Sequence, residues 1–456
     1  MDILIRNGTI VNAERSFNAD ILISKGKIAG IGSVSALPSE DIETIDAGKK
    51  FIFPGGIDPH VHLHLPTPAG FSADDFFTGS RAALYGGTTS FIDFVTPRKG
   101  QNLVEALNER KQEAENSLTD FSFHVSPVEW RDSMPDEIKA CVAEGITSFK
   151  IYMAYLSTIG LKDGDLRKVM KAVADAGAMV TIHCEPGDKI ERLRKEFISK
   201  GLSSPEYHPL SRPDYMESEA VKKAIDLAGE TGCPLYIVHV SAARSLQHIR
   251  KAQQNGQKIF AETCPQYLLL DDSKYIGNFE ETAPFVLSPP LRKQKDNKML
   301  WKALADSTIQ TIGTDHCPFT LKQKRTGIND FTKIPNGAGG IEHRLSLLYT
   351  YGVLTGKISL NRFVELVSTR PAKIFGLFPG KGEIRKGSDA DLVIWDPEKE
   401  DIISAKTHHQ NCDINIYEGL KIKGAPDYVI VSGAVVIRNG TIQNKGLQGR
   451  FLYRRL

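Results

Sequence analysis

Eight short apolar runs recur through the middle of this chain, most of them followed by a stretch with helical spacing. They are Phe53 to His62, Thr88 to Val95, Phe121 to Val125, Thr147 to Met153, Met179 to Cys184, Leu235 to Val240, Lys258 to Thr263 and Ile309 to Thr314. The helical periodicity between them is clear in Glu217 to Gly229 and in Ala243 to Asn255. A strand followed by a helix returns the chain parallel to where it began. Eight such units close into a (β/α)8 TIM barrel of the α/β class. The loops Leu65 to Gly70 and Leu321 to Gly340 are long enough to cover a site.

The two ends have a different texture. Ile3-Leu4-Ile5, Ile21-Leu22-Ile23, Asp391 to Trp395 and Tyr428 to Val431 predict strands. Asn7-Gly8, Lys25-Gly26, Ala47-Gly48 and Asn439-Gly440 supply turns. Residues 1–50 and 382–456 are therefore expected to combine into one small β-sandwich domain beside a barrel of residues 51–381. A chain of 456 residues is long enough for both.

Barrel strands are expected to be apolar inside, yet several here end in groups that bind metals. His60-Val61-His62 closes the first strand, and in extended backbone i and i+2 face the same way. Lys150 lies in the fourth strand, His183 and His239 near the ends of the fifth and sixth, and Asp315 at the end of the eighth. This architecture gathers its catalytic groups at the C-terminal ends of strands. Each residue alone also fits a plain role. His183 or His239 fits a packed core histidine, Lys150 a lysine paired to an acid, and Asp315 a helix cap. Together, six such groups at one end of a barrel need a cation to compensate their burial. A protonated lysine would repel that cation. Lysine becomes an anionic bridging ligand only by losing its proton and adding CO2, which burial and nearby cations favour.

The chain resembles the dihydropyrimidinase and D-hydantoinase family of the amidohydrolase superfamily over nearly its whole length. The resemblance rests on Pro54 to His62, Asp74 to Gly79, Gly86 to Thr89, Ser148-Phe149-Lys150 and Val238 to Ser241. It continues through Glu262 to Leu268, Ser288 to Arg292, Asp315 to Phe319 and Phe331 to Gly337. It implies that His60 and His62 bind the more buried of two metals with Asp315, and that His183 and His239 bind the more exposed one. Lys150, as N6-carboxylysine, would bridge both. Zinc is the usual metal for such ligands, and manganese or cobalt also suit them. Tyr155 matches a tyrosine that donates to the developing oxyanion. Ser288 and Asn336 match positions whose backbone groups hold a cyclic amide. Asp315 would move the proton. The implied reaction opens the ring amide of a dihydropyrimidine or a 5-substituted hydantoin to an N-carbamoyl amino acid. The alternatives are an allantoinase-like or other cyclic-amide hydrolase, and a non-enzymatic assembly protein of the collapsin response mediator type, which has lost metal ligands. The resemblance also implies a homotetramer or homodimer.

Two segments leave the family pattern. Leu63-His64-Leu65 carries His64 where D-hydantoinases often have aspartate and where dihydroorotases and allantoinases commonly have an arginine at or near the position. In dihydroorotase that arginine grips the substrate carboxylate, so its lack here argues against a carboxylated ring as substrate. His183-Cys184-Glu185-Pro186 replaces the usual His-Ala-Glu-Asn, with Cys184 expected to face away from His183. Substrate preference is expected to lie in the loops Leu63 to Phe71 and Tyr152 to Leu161. A formal charge of +2 with no basic block argues against nucleic acid as a partner. With no long apolar span, no cationic leader and six scattered cysteines, the expectation is a cytoplasmic protein off the membrane.

Overall fold

The computed structural model describes residues 2–33, 42–443 and 446–456. Eight parallel strands follow one another in chain order around a nearly closed barrel. They are Gly56–Asp58, Thr88–Val95, Asp120–Val125, Ser148–Tyr152, Met179–His183, Leu235–Ile237, Ile259–Thr263 and Thr311–Ile312. Between the last strand and the first, a parallel bridge between Val61 and His316 closes the ring.

Alternation sets the two faces of each strand. In the fourth, Phe149 and Ile151 join the main apolar core, and Lys150 is turned the other way. The helices present matching stripes. Leu166, Val169, Met170 and Val173 recur at three- and four-residue spacing in Asp163–Asp175 and are buried. The helices Asp214–Thr231 and Ala243–Gln254 fall where the periodicity places them.

The first apolar run is not one strand. Phe51–Pro54 pairs antiparallel with Leu392–Ile402 in the terminal sheet, and the barrel begins only at Gly56. Pro54 has no N–H to continue the ladder, and at Gly55 a Cβ would lie 2.1 Å from Thr89 Oγ1. The chain bends where no side chain fits. The sixth and eighth strands are also shorter than predicted. The segments after them carry His239 at φ 40° and Asp315 at φ 54°, outside the extended region. The predicted loop 321–340 holds short helical turns, Leu321–Lys324 and Phe331–Lys333.

The terminal strands form a four-stranded and a seven-stranded sheet. Ile5, Ile21, Ile52, Leu392, Ile394 and Ile430 make an apolar core of their own. This layer is tied to the barrel by charge. Buried Lys381 donates to Asp120 of the third barrel strand at 2.8 Å and to Asp391 beside the terminal sheet. Arg450 also reaches Asp120, at 3.0 Å. The final residues return under the barrel, where the Arg454 guanidinium donates to Ser122 Oγ at 2.9 Å, Ser148 Oγ at 2.8 Å and the Phe123 carbonyl. No helix among the described residues is long and apolar enough to cross a membrane.

Replacing Lys381 with methionine leaves buried Asp391 without its cation and Asp120 with Arg450 alone. Lys381→Met is expected to lower unfolding stability by about 3–5 kcal/mol, read by denaturant titration. A change within about 0.5 kcal/mol, the usual effect of a surface substitution, would show that the cluster carries no net weight.

Candidate active site

His60 is fully buried and hydrogen-bonds through both ring nitrogens. Its Nδ1 lies 2.7 Å from Glu262 Oε1. Glu262 also accepts from Tyr236 Oη at 2.8 Å and from the His239 backbone N–H at 3.2 Å. An ionised carboxylate only accepts, so His60 Nδ1 carries a proton, and in the neutral ring that a metal would need the Nε2 lone pair points into the barrel mouth. There Nε2 meets His62 Nε2 at 3.2 Å and Asp315 Oδ1 at 3.1 Å, and His62 Nε2 is also 3.1 Å from Asp315 Oδ1. Donors sharing a tetrahedral ion at ~2.0–2.2 Å stand about 3.4 Å apart. These three atoms converge almost that closely.

The second pair follows the same logic. His183 Nε2 lies 2.8 Å from Glu185 Oε2, and its Nδ1 faces His239 Nε2 at 2.9 Å. Glu185 is held in turn by Arg212 Nη1 at 2.6 Å. Burial opposes charge on Glu185, but Arg212 and His183 outweigh it and hold its carboxyl down at about 2. Lys150 lines the same cavity and is 1% exposed, its Nζ about 5 Å over the rings of Phe94 and Tyr152. Burial pushes its ammonium down to about 8, against the pull of Asp315 and Glu262.

The donors fit a cation. Burial disfavours charge on His60, yet Glu262 and Asp315 on its two sides raise it to about 9. The site therefore favours a positive charge where the imidazole nitrogens and the carboxylate meet. His62 Nδ1 is buried without a partner. A carboxylate fixing the far nitrogen of a metal-binding histidine is the usual support for such a ligand.

One cavity of about 1070 Å³ opens above these groups. Every sequence-predicted site residue except His60 lines it, including Tyr155, Ser288 and Asn336. His60 lies beneath. Tyr155 sits at φ 60°, its ring 5.5 Å from that of His183, and burial raises its phenol pKa, which keeps it a donor. Asn336 Oδ1 is buried without a hydrogen-bond partner at the cavity wall, and Ser288 lies there within reach of Tyr155. The hairpin Pro66–Thr67 and Gly70–Phe71 forms part of the rim. His64 stays out of the metal-ligand cluster. It stacks on Phe71 with centroids 3.9 Å apart and pairs with Glu113. Cys184 is buried in the apolar core.

Sequence reasoning gave no role to Glu262 or Glu185. The available signal was a lone charged residue in the buried run Ile259–Thr263, and a glutamate two positions beyond a strand-end histidine. Glycine accommodates the first. At Gly313 a Cβ would stand 2.6 Å from Glu262 Oε2 and 2.9 Å from His60 Cβ.

The amidohydrolase family matches residues 51–436. The chain belongs to the amidohydrolase family. It is 45% identical to the D-hydantoinase of Geobacillus stearothermophilus over 99% of this chain and 96% of that one. The crystal structure of dihydropyrimidinase from Brevibacillus agri superposes with a TM-score of 0.97 at 42% identity, covering 100% of this chain and 99% of that one. The L-hydantoinase of Arthrobacter aurescens superposes with a TM-score of 0.90 at 31% identity, covering 99% and 100%. The chain is thus an enzyme of this hydrolase family with a donor set suited to divalent metal.

Glu262→Gln exchanges a pure acceptor for a group that also donates toward His60 Nδ1. Metal affinity is expected to fall about 10- to 100-fold, read as metal retained after dialysis against graded chelator. Full retention would remove Glu262 from the support of His60.

Proposed function

We propose that this enzyme hydrolyses the ring amide of a dihydropyrimidine or a 5-substituted hydantoin to an N-carbamoyl amino acid. The observation that carries the reading is the convergence of His60, His62 and Asp315, with the His183–His239 pair and buried Lys150, at one cavity that Tyr155, Ser288 and Asn336 also line. His60, His62 and Asp315 would hold one divalent ion, His183 and His239 a second, and Lys150, as its carbamate, would join them. Carboxylation bonds the neutral lysine nitrogen to CO2 and releases one proton. The shift of Lys150 toward its neutral form supports this. Zinc suits the set. The ions, when bound, polarise the ring carbonyl and lower the pKa of water.

The side chains do the rest. His60 and His62 lower the pKa of Asp315 despite its burial, so it is ionised and able to accept the proton of the attacking water. It then delivers that proton to the departing ring nitrogen, which regenerates the carboxylate. The Tyr155 phenol donates to the oxygen on which charge develops. The backbone groups of Ser288 and Asn336 hold the ring amide in place against the attacking side.

Identity of 45% to a D-hydantoinase against 31% to an L-hydantoinase supports a preference for the D configuration. Six free cysteines support a reducing, cytoplasmic setting. Assembly as a homotetramer or homodimer completes the proposal.

Lys150→Ala is expected to lose bound metal and turnover together, measured by elemental analysis and by rates on dihydrouracil, 5-substituted hydantoins and allantoin. Full activity in that variant would sink the proposed bridge. Faster wild-type turnover of allantoin than of both other classes would reassign the substrate.

A further inference from the structure

We propose that Lys324 is a positioning residue that sets the substrate-binding wall of the cavity, holding the backbone on both sides of Asn336 and just before Ser288. The inference rests on the reading that these two residues bind the ring amide.

Lys324 closes the short helix Leu321–Lys324 and is 1% exposed. Its Nζ donates to three backbone carbonyls, Val286 at 2.9 Å, Pro335 at 2.8 Å and Gly337 at 2.8 Å. An ammonium has three N–H groups, and each has one acceptor. Pro335 and Gly337 flank Asn336, and Val286 lies two residues before Ser288. One cation therefore gathers two loops distant in sequence at the points that fix how Ser288 and Asn336 face the cavity. The Gly337 N–H also donates to Val286 O at 3.1 Å, so the loops touch directly as well. Gly337 has φ 145°, and a Cβ there would stand 2.4 Å from Cys317 O, so the loop passes close to the segment after Asp315. None of the three carbonyls belongs to a proposed metal ligand. The effect of Lys324 should appear in substrate binding, separate from metal loading.

The neighbouring side chain extends the same device to the rim. Gln323 Nε2 donates to Phe71 O at 2.7 Å and to Ala69 O at 3.3 Å, both in the hairpin over the cavity. Consecutive residues of one helical turn thus grip the wall and the rim.

The test compares wild type, Lys324→Met and Lys324→Gln, each purified with metal. Metal content, thermal melting, kcat and KM for dihydrouracil and a 5-substituted hydantoin are measured together. Methionine keeps the bulk and removes every donor, and glutamine restores two N–H groups. The expected result is unchanged metal content, KM raised about tenfold or more in Lys324→Met with kcat within about threefold, and an intermediate KM in Lys324→Gln. Unchanged KM in a folded, metal-loaded Lys324→Met protein would overturn the inference and leave the proposed function standing. So would equal losses of metal and kcat, or failure of both variants to fold, since each marks a purely structural lysine. A wild-type enzyme that opens no cyclic amide would overturn the underlying reading and this inference with it.

Discussion

Two buried carboxylates decide which way the imidazoles at the barrel mouth point their lone pairs. Glu262 claims one nitrogen of His60, and Glu185 claims one nitrogen of His183. A neutral imidazole has a single N–H, so committing it on one side leaves an acceptor on the other. His60 Nε2 faces His62 and Asp315, and His183 Nδ1 faces His239, each at about 3 Å, an arrangement that favours positive charge between the partners. Local backbone geometry serves the same end. His239, Asp315 and Tyr155 all adopt left-handed conformations that non-glycine residues seldom take, and such strain collects at functional sites.

The barrel beneath departs from the expectation of a wholly apolar interior. Arg344 Nη1 donates to the carbonyls of Ile57 at 2.8 Å and Ile312 at 2.9 Å, and its Nη2 to Thr88 Oγ1 at 3.0 Å. Arg454 serves the third and fourth strands in the same way from near the chain's end. These guanidiniums use fixed forks of donors to satisfy several backbone and hydroxyl acceptors at once. The result is a rigid polar floor in which a lysine can stand without a carboxylate contact of its own. The terminal sandwich contributes through Lys381, Asp391 and Asp120, so the layer far from the chemistry is fastened to a strand of the barrel.

Much of this was legible in the sequence. The alternation of apolar runs and helical stripes showed the barrel, because strands buried on both faces read as continuous hydrophobic segments. The six candidate metal ligands could be chosen because metal-binding side chains at strand ends break that pattern, whereas Tyr155, Ser288 and Asn336 rested on the family resemblance alone. Strand bounds were less legible. Phe53 to His62 reads as one run, yet steric crowding at Gly55 splits it between two sheets, and only the contact with Thr89 reveals why. The supporting carboxylates were hidden for a related reason. Glu262 pairs with His60 across 202 residues, and a partner so distant leaves no local spacing to read. Lys324 looks like one more lysine in a basic surface turn. Its burial depends on how three segments pack.

The closing bridge between Val61 and His316 bears on how the enzyme comes into being. It joins the segment carrying His60 and His62 to the one carrying Asp315, and Asp58 meets Thr314 beside it at 2.6 Å across 256 residues. The seam of the barrel and the donor cluster of His60, His62 and Asp315 are thus the same place. A growing polypeptide leaving the ribosome cannot present these three donors together until the eighth strand has emerged and docked. Contacts of such separation form late. The three donors therefore come together only once the ring has closed, so this cluster is completed by the fold's last seam and not by any single βα unit.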